Sequence, residues 1–171
     1  MSAVAHNPQA LTDPARLRAL ASIDFDNPAL RTQLDRITGR TAARTGLPVS
    51  LVTLVFDTAQ MIAGSTGLDG SWITASGGSP VEWAFCAGTV TTGQPYLLPD
   101  TRSSEHATNP LVTIDGVASY AGVPITIAGQ TVGAHCIIGV TAHPFTADQI
   151  DELHNGAAEI NALLQQFSDL P

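Results

Sequence analysis

Two β-rich runs, residues 118–126 and 131–140, are joined around Ala128-Gly129-Gln130. Strand-forming segments so close in sequence satisfy their backbone groups most simply as an antiparallel hairpin. A hairpin with an apolar row needs a cover for that row. The C-terminal segment can supply one: Thr146 and Gln149 form a capping-box pair ahead of Ile150, Leu153, Ala157, Ile160, Leu164 and Phe167, which recur at steps of three and four. The seam is too short for a free coiled coil, which leaves packing on the sheet or in a helical dimer bundle.

In the N-terminal half a helix precedes a second hairpin. Asn27 can cap a helix, Pro28 suits its first turn, and Leu30, Leu34, Ile37 and Thr41 recur at helical spacing until Gly46 and Pro48 stop it. Arg36, Arg40 and Arg44 form an i, i+4 row on the opposite face and read as a solvated surface. Residues 49–56 predict a buried strand, Asp57-Thr58-Ala59 a turn, and residues 60–65 its hairpin partner.

Between the two hairpins lies an irregular middle. Gly67, Gly70, Gly77 and Gly78 mark a loop that could serve as a lid. Residues 80–90 suit a short helix, 96–98 a short strand, and 100–109 a polar connection ended by Pro110. The expected fold is α+β: a central antiparallel sheet, terminal helices on one face and the middle segment on the other, with a pocket between sheet and middle. Residues 1–25 are expected to form an N-terminal arm, partly flexible unless something docks it, followed by one domain over 26–169.

Composition narrows the function. A chain of 171 residues with 44% hydrophobic content can build one sizeable core. A formal charge of −8 disfavours nucleic acid and anionic membrane surfaces as partners. All seven basic residues are arginine, so Schiff-base, Walker-type and lysine-base mechanisms are excluded. Cys86 and Cys136 are too few for a disulfide framework and fit a reducing compartment. With no secretory leader pattern and no membrane-spanning apolar stretch, a cytoplasmic protein is expected.

Several strings resemble the GAF family, as found in bacterial histidine kinases and cyclic-dinucleotide enzymes. They include Pro48-Val49-Ser50-Leu51-Val52-Thr53-Leu54, Phe85-Cys86, Thr91-Thr92-Gly93-Gln94-Pro95, Pro99-Asp100-Thr101-Arg102, Asn109-Pro110-Leu111-Val112, Ser119-Tyr120-Ala121-Gly122-Val123-Pro124-Ile125 and Gly129-Gln130-Thr131-Val132-Gly133. The resemblance implies a sheet of about six strands, a ligand cavity over one face, and dimers through the first and last helices. It implies a sensory module that binds an unidentified small molecule and acts through a signalling partner or a second copy. It selects no cofactor, because the fold hosts many ligands.

The candidate ligand-binding residues are Trp83 and Cys86 on the short helix with Tyr120, and a rim of Asp100, Arg102, His106 and Asn109. Each also has an ordinary structural reading: core packing for Trp83, Cys86 and Tyr120, and an Asx turn for Asp100. Arg102 is the candidate for an anionic ligand group. His135 and Cys136 point to opposite faces of a strand and so cannot share a metal ion. Cys136 falls in an apolar row, whereas His135, beside Gly133 and Gly139, is either a ligand contact or a satisfied structural histidine.

No nucleophile elbow, zinc-protease helix, P-loop or dinucleotide fingerprint is present. The Asn-Lys-Phe-Asp type of sequence that accompanies cyclic-nucleotide binding is excluded by the absence of lysine. Two other functions stay open. One is a cysteine-dependent redox enzyme such as a free methionine sulfoxide reductase, and the other a dimerisation scaffold.

Overall fold

The computed structural model describes residues 8–170. Strands β1 (Val49–Val55) and β2 (Ala59–Thr66) form one antiparallel hairpin. Strands β5 (Ser119–Ile127) and β6 (Gln130–Gly139) form the other. The antiparallel β1–β6 pair joins them, with β3 (Gly78–Pro80) beside β2 and β4 (Tyr96–Leu98) beside β5 at the edges. The strand order is β3-β2-β1-β6-β5-β4. Ile127 pairs with Gln130 across a two-residue turn in which Ala128 (φ 52°) and Gly129 (φ 76°) both take left-handed backbone. Such turns match the twist of the strands they join.

Helices α3 (Pro28–Thr45) and α7 (Ala147–Gln166) cover one face of the sheet. Asn27 accepts the Ala29 amide at 2.9 Å, and Gly46 ends α3 in left-handed conformation. The Thr146–Gln149 capping box is formed. Leu153, Ala157, Ile160 and Leu164 are buried, with Ile160 and Leu164 against Val52, Leu54, Ile125 and Val132 of the sheet. Of the two packing modes open to the α7 seam, the sheet takes it. The arginine row is more than a solvated face: Arg40 pairs with Glu159 at 2.6 Å and Arg44 with Glu152 at 3.3 Å, both across to α7. As partly exposed pairs they contribute little stability each.

Two helices lie within the segment expected to be a partly flexible arm, α1 (Pro8–Leu11) and α2 (Pro14–Ala21). Arg16 docks them. Its guanidinium is buried and donates to the carbonyls of Ala10, Leu11 and Val55, tying the segment to the end of β1. Leu20 is fully buried beside Leu30 and Leu34. The remainder of the expected arm, residues 1–7, lies outside the described residues.

The opposite face is covered by three short helices, α4 (Trp72–Ser76), α5 (Cys86–Thr92) and α6 (Pro110–Thr113). The expected Gly-rich loop thus contains a helix, because Ser71 caps it through the Thr74 amide and Gly77 closes it with φ 78°. The expected helix over 80–90 is divided. A single 3₁₀ turn, Val81–Trp83, precedes α5, so Trp83 is not on the helix that carries Cys86. No helix among the described residues is long and apolar enough to cross a membrane.

Candidate functional site

A cavity of about 240 Å³ lies between the sheet and α4–α6. Alternation along the strands dictates its floor, since residues two apart share a face. Leu51 of β1, Ile62 of β2, Tyr120 of β5, and Cys136 and Ile138 of β6 point inward. Phe85, Cys86, Leu68, Ile73 and Leu111 form the walls. Ser71 and Asp115 stand at its polar part, and Trp72 Nε1 donates to Asp115 Oδ1 at 2.8 Å. This bond ties α4 to the loop that follows α6. Trp72 in turn meets Trp83 edge to face at a centroid distance of 6.0 Å.

Gln60 is the polar side chain of the floor. Its Nε2 donates to Ser79 Oγ at 3.1 Å, and that hydroxyl donates onward to the Pro80 carbonyl at 3.2 Å. The order of donors fixes which end of the amide faces Ser79. Gln60 Oε1 is shielded from solvent and has no hydrogen-bond partner among the described residues. A buried acceptor left unpaired costs about 1–3 kcal/mol, and a ligand donor would relieve that cost.

The two cysteines meet at the cavity wall. Tyr120 donates to Cys86 Sγ at 3.1 Å, and Thr89 Oγ1 lies 3.5 Å from the same hydroxyl. Gly122, two residues along β5, leaves the space over which Tyr120 lies: a Cβ there would fall 2.2 Å from the hydroxyl. Burial opposes charge on Cys86, but its polar surroundings, foremost Cys136, then Thr53 and the Tyr120 bond, outweigh it and hold this thiol below its ordinary value. Burial, reinforced by Cys86, pushes both Cys136 and Tyr120 well above theirs. Cys86 is therefore the first of the three to ionise.

His135 lies on the other face of the sheet, fully buried under the helices. Its Nδ1 is 3.0 Å from the Leu51 carbonyl, which can only accept, so Nδ1 carries the proton. Nε2 is then the acceptor for Thr41 Oγ1 at 2.9 Å. Gly156 lets α7 sit on the ring, since a Cβ there would lie 2.7 Å from Nε2. Desolvation pulls the histidine pKa down to about 4, opposed by the Leu51 bond and assisted by the nearby Arg40 charge. No group of three or more His, Cys, Asp or Glu side chains able to hold a metal ion occurs among the described residues.

The GAF domain model matches residues 29–164. The chain belongs to the GAF domain family. In three dimensions it is similar to the GAF domain of an Acinetobacter phosphoenolpyruvate-protein phosphotransferase, with 14% identity over 90% of this chain and 95% of that one, at TM-score 0.68. It is also similar to the type II free methionine-R-sulfoxide reductase of Thermoplasma acidophilum, with 14% identity over 81% and 94% and TM-score 0.66. A third similar structure is the GAF-B domain of DevS from Mycobacterium smegmatis, with 18% identity over 82% and 94% and TM-score 0.60. At these identities the likeness shows the fold alone. No curated protein sequence matches this GAF domain.

Of the residues singled out in the sequence, the GAF domain brings only Cys86 and Tyr120 to the cavity lining. Asp100 forms the Asx turn, accepting the Arg102 amide at 3.1 Å and the Ser103 hydroxyl at 3.1 Å. Arg102 itself is exposed. Asn109 is buried as the cap of α6, accepting the Leu111 amide at 2.9 Å and donating to the Trp83 carbonyl at 3.1 Å. His106 packs at 4.9 Å from the Phe85 ring and 3.0 Å from the Tyr96 hydroxyl. It borders a separate surface depression with Asp57, Glu82 and Thr91. Trp83 is half-buried behind Trp72. Gln60 and Cys136 complete the lining without having been candidates. The signal for both was their phase with the inward-facing apolar rows containing Ile62 and Ile138.

Proposed function

We propose that this GAF domain is a sensory or regulatory module that takes up a small, largely apolar molecule in the cavity between sheet and cover. The cavity carries this reading: apolar walls with few convergent polar groups are the usual form of a small-molecule site. The unpaired Gln60 Oε1 supports a ligand with a hydrogen-bond donor attached to its apolar body.

Leu51 supplies a route from occupancy to output. Its side chain lines the cavity while its carbonyl holds His135, which is bonded to α3 and covered by α7. A ligand that displaces β1 alters the seat of both helices. A signalling protein or a second copy would read the change from their outer surfaces, in the cytoplasm. The inner seam is occupied by the sheet, so any dimer would use the outer groove lined by Gln33, Arg36, Ile37 and Leu163.

Native mass spectrometry of untagged protein taken from cells is expected to show an extra mass that disappears on denaturation. In Ile138→Trp, which fills the cavity from its floor, that mass should be absent while the circular dichroism spectrum is retained. A wild-type mass equal to the bare chain, together with no small molecule in an organic extract, would count against uptake of a ligand.

The meeting of Cys86 and Cys136 favours one second reading, a cysteine-dependent redox enzyme of the free methionine sulfoxide reductase kind. Its test is turnover of free methionine sulfoxide with a dithiol reductant, lost in Cys86→Ser. The scaffold reading fits less well, because a pure scaffold would be expected to fill the space between sheet and cover with side chains.

A further inference from the structure

We propose that the Cys86–Cys136 pair is a reactive site for apolar organic hydroperoxides, with Cys86 as attacking thiol, Tyr120 as proton donor and Cys136 as resolving thiol. The chain has two cysteines, fifty positions apart, and folding brings both to the lining of one cavity, with Cys136 opposite Gly122, the residue over which the Tyr120 hydroxyl lies. A pair kept only for packing would not require a phenol aimed at one sulfur. Here Tyr120 points its hydroxyl at Cys86 Sγ from 3.1 Å, held there over Gly122. A phenol donor aimed at that sulfur beside the second thiol stabilises its thiolate, while burial keeps Tyr120 and Cys136 protonated. The attacking, proton-donating and resolving roles are thus separated by environment.

The cavity selects the oxidant. Cys86 and Cys136 are 3% and 0% exposed, so a reactant meets them through the apolar space that both line. An alkyl or aryl hydroperoxide gains by burying its hydrocarbon body there, whereas hydrogen peroxide has none to bury.

The chemistry closes as follows. The Cys86 thiolate attacks the terminal oxygen of R–O–O–H, an S–O bond forms and the O–O bond breaks. The leaving alkoxide takes a proton from Tyr120 and departs as R–OH. Tyr120 is restored by the proton that Cys86 released on ionising, and Cys86 is left as the sulfenic acid. The Cys136 sulfur then attacks the sulfenic sulfur, its proton joins the departing hydroxide as water, and a disulfide remains. The two sulfurs together give up two electrons, and the hydroperoxide is reduced to alcohol and water. An external dithiol, itself oxidised to a disulfide, returns the pair to thiols.

The test uses the full reduced chain with one equivalent of cumene hydroperoxide or of hydrogen peroxide, followed by denaturing alkylation and intact mass. Cumene hydroperoxide is expected to remove two hydrogens and protect both thiols from alkylation, about tenfold faster than hydrogen peroxide. Dithiothreitol should reverse the change. Cys136→Ser should stop at a sulfenic acid that dimedone traps, and Cys86→Ser should not react. Tyr120→Phe should slow the first step by about a hundredfold and flatten its pH profile, with the trapped species unchanged. Four results would overturn the proposal: no disulfide in folded protein, equal rates with the two peroxides, a disulfide between chains, or faster oxidation by free methionine sulfoxide than by cumene hydroperoxide. Retention of a cellular ligand is read separately, so failure here leaves the sensory reading standing.

Discussion

Gly133→Ala should destabilise the protein by about 4 kcal/mol, enough to leave much of the chain unfolded if its stability lies at the lower end of the usual range. Gly133 lies in β6 opposite Leu54 of β1 on one side and Ile125 of β5 on the other, in the centre of the sheet. A Cβ added there would fall 1.8 Å from the Thr53 carbonyl oxygen and 2.8 Å from its carbon. Both are backbone atoms of the adjoining strand, so no rotamer change relieves the clash. One of the two central strands must move, at the expense of ladder bonds and the packing on both faces. Gly39→Ala is the natural contrast: its Cβ would meet only Thr66 Oγ1 at 3.6 Å, an ordinary contact inside α3. It should stabilise by about 0.5–1 kcal/mol through helix propensity. Urea titrations followed by circular dichroism measure both. A Gly133→Ala midpoint close to that of the wild type would show that the β1–β6 pair can part locally.

Acidification from pH 6.5 to pH 4 is expected to remove about 3 kcal/mol of stability through His135 alone. Burial brings the folded-state pKa down to about 4 from the ordinary 6.5. Between these values the unfolded chain binds a proton that the folded chain does not. Stability therefore rises with pH across this window, is fully present above it, and has been lost once pH falls through the folded value. The geometry gives the reason: with Nδ1 committed to Leu51, protonation puts a second N–H against Thr41 beside the Arg40 charge, under α7. His135→Gln should be less stable at neutral pH and should show a much shallower loss between pH 6.5 and pH 5, where most carboxylates are still ionised. Equal slopes for the two proteins would mean that His135 is solvated or already charged in the folded state.

Periodicity and local capping were readable because they depend on neighbours in sequence. Asn27, Pro28 and Gly46 bound α3, Thr146 and Gln149 begin α7, and the turn between β5 and β6 falls at Ala128-Gly129. The phase of β6 correctly separates His135 from Cys136. What the sequence does not carry is where a covering segment lands. Whether Cys86 faces Cys136 depends on the docking of α5 across the sheet, and whether Arg16 is buried depends on a carbonyl in β1. Asp100 and Asn109 lie in polar, turn-rich sequence, where a rim residue and a cap look alike until the backbone amides they bind are known. Arg102 fails as a rim residue for the same reason: its amide closes the Asp100 turn and leaves its side chain outside.

The tie between Trp72 and Asp115 joins two parts of the cover that belong to different stretches of chain, and Trp72 and Trp83 are the only tryptophans in the sequence. Every photon of intrinsic indole emission from this protein therefore originates in the cover. Separation of α4 from the α6 loop would change the surroundings of Trp72 while leaving the helices on the far face intact. Opening of the cavity can thus be followed optically on the unlabelled chain, in real time and apart from unfolding.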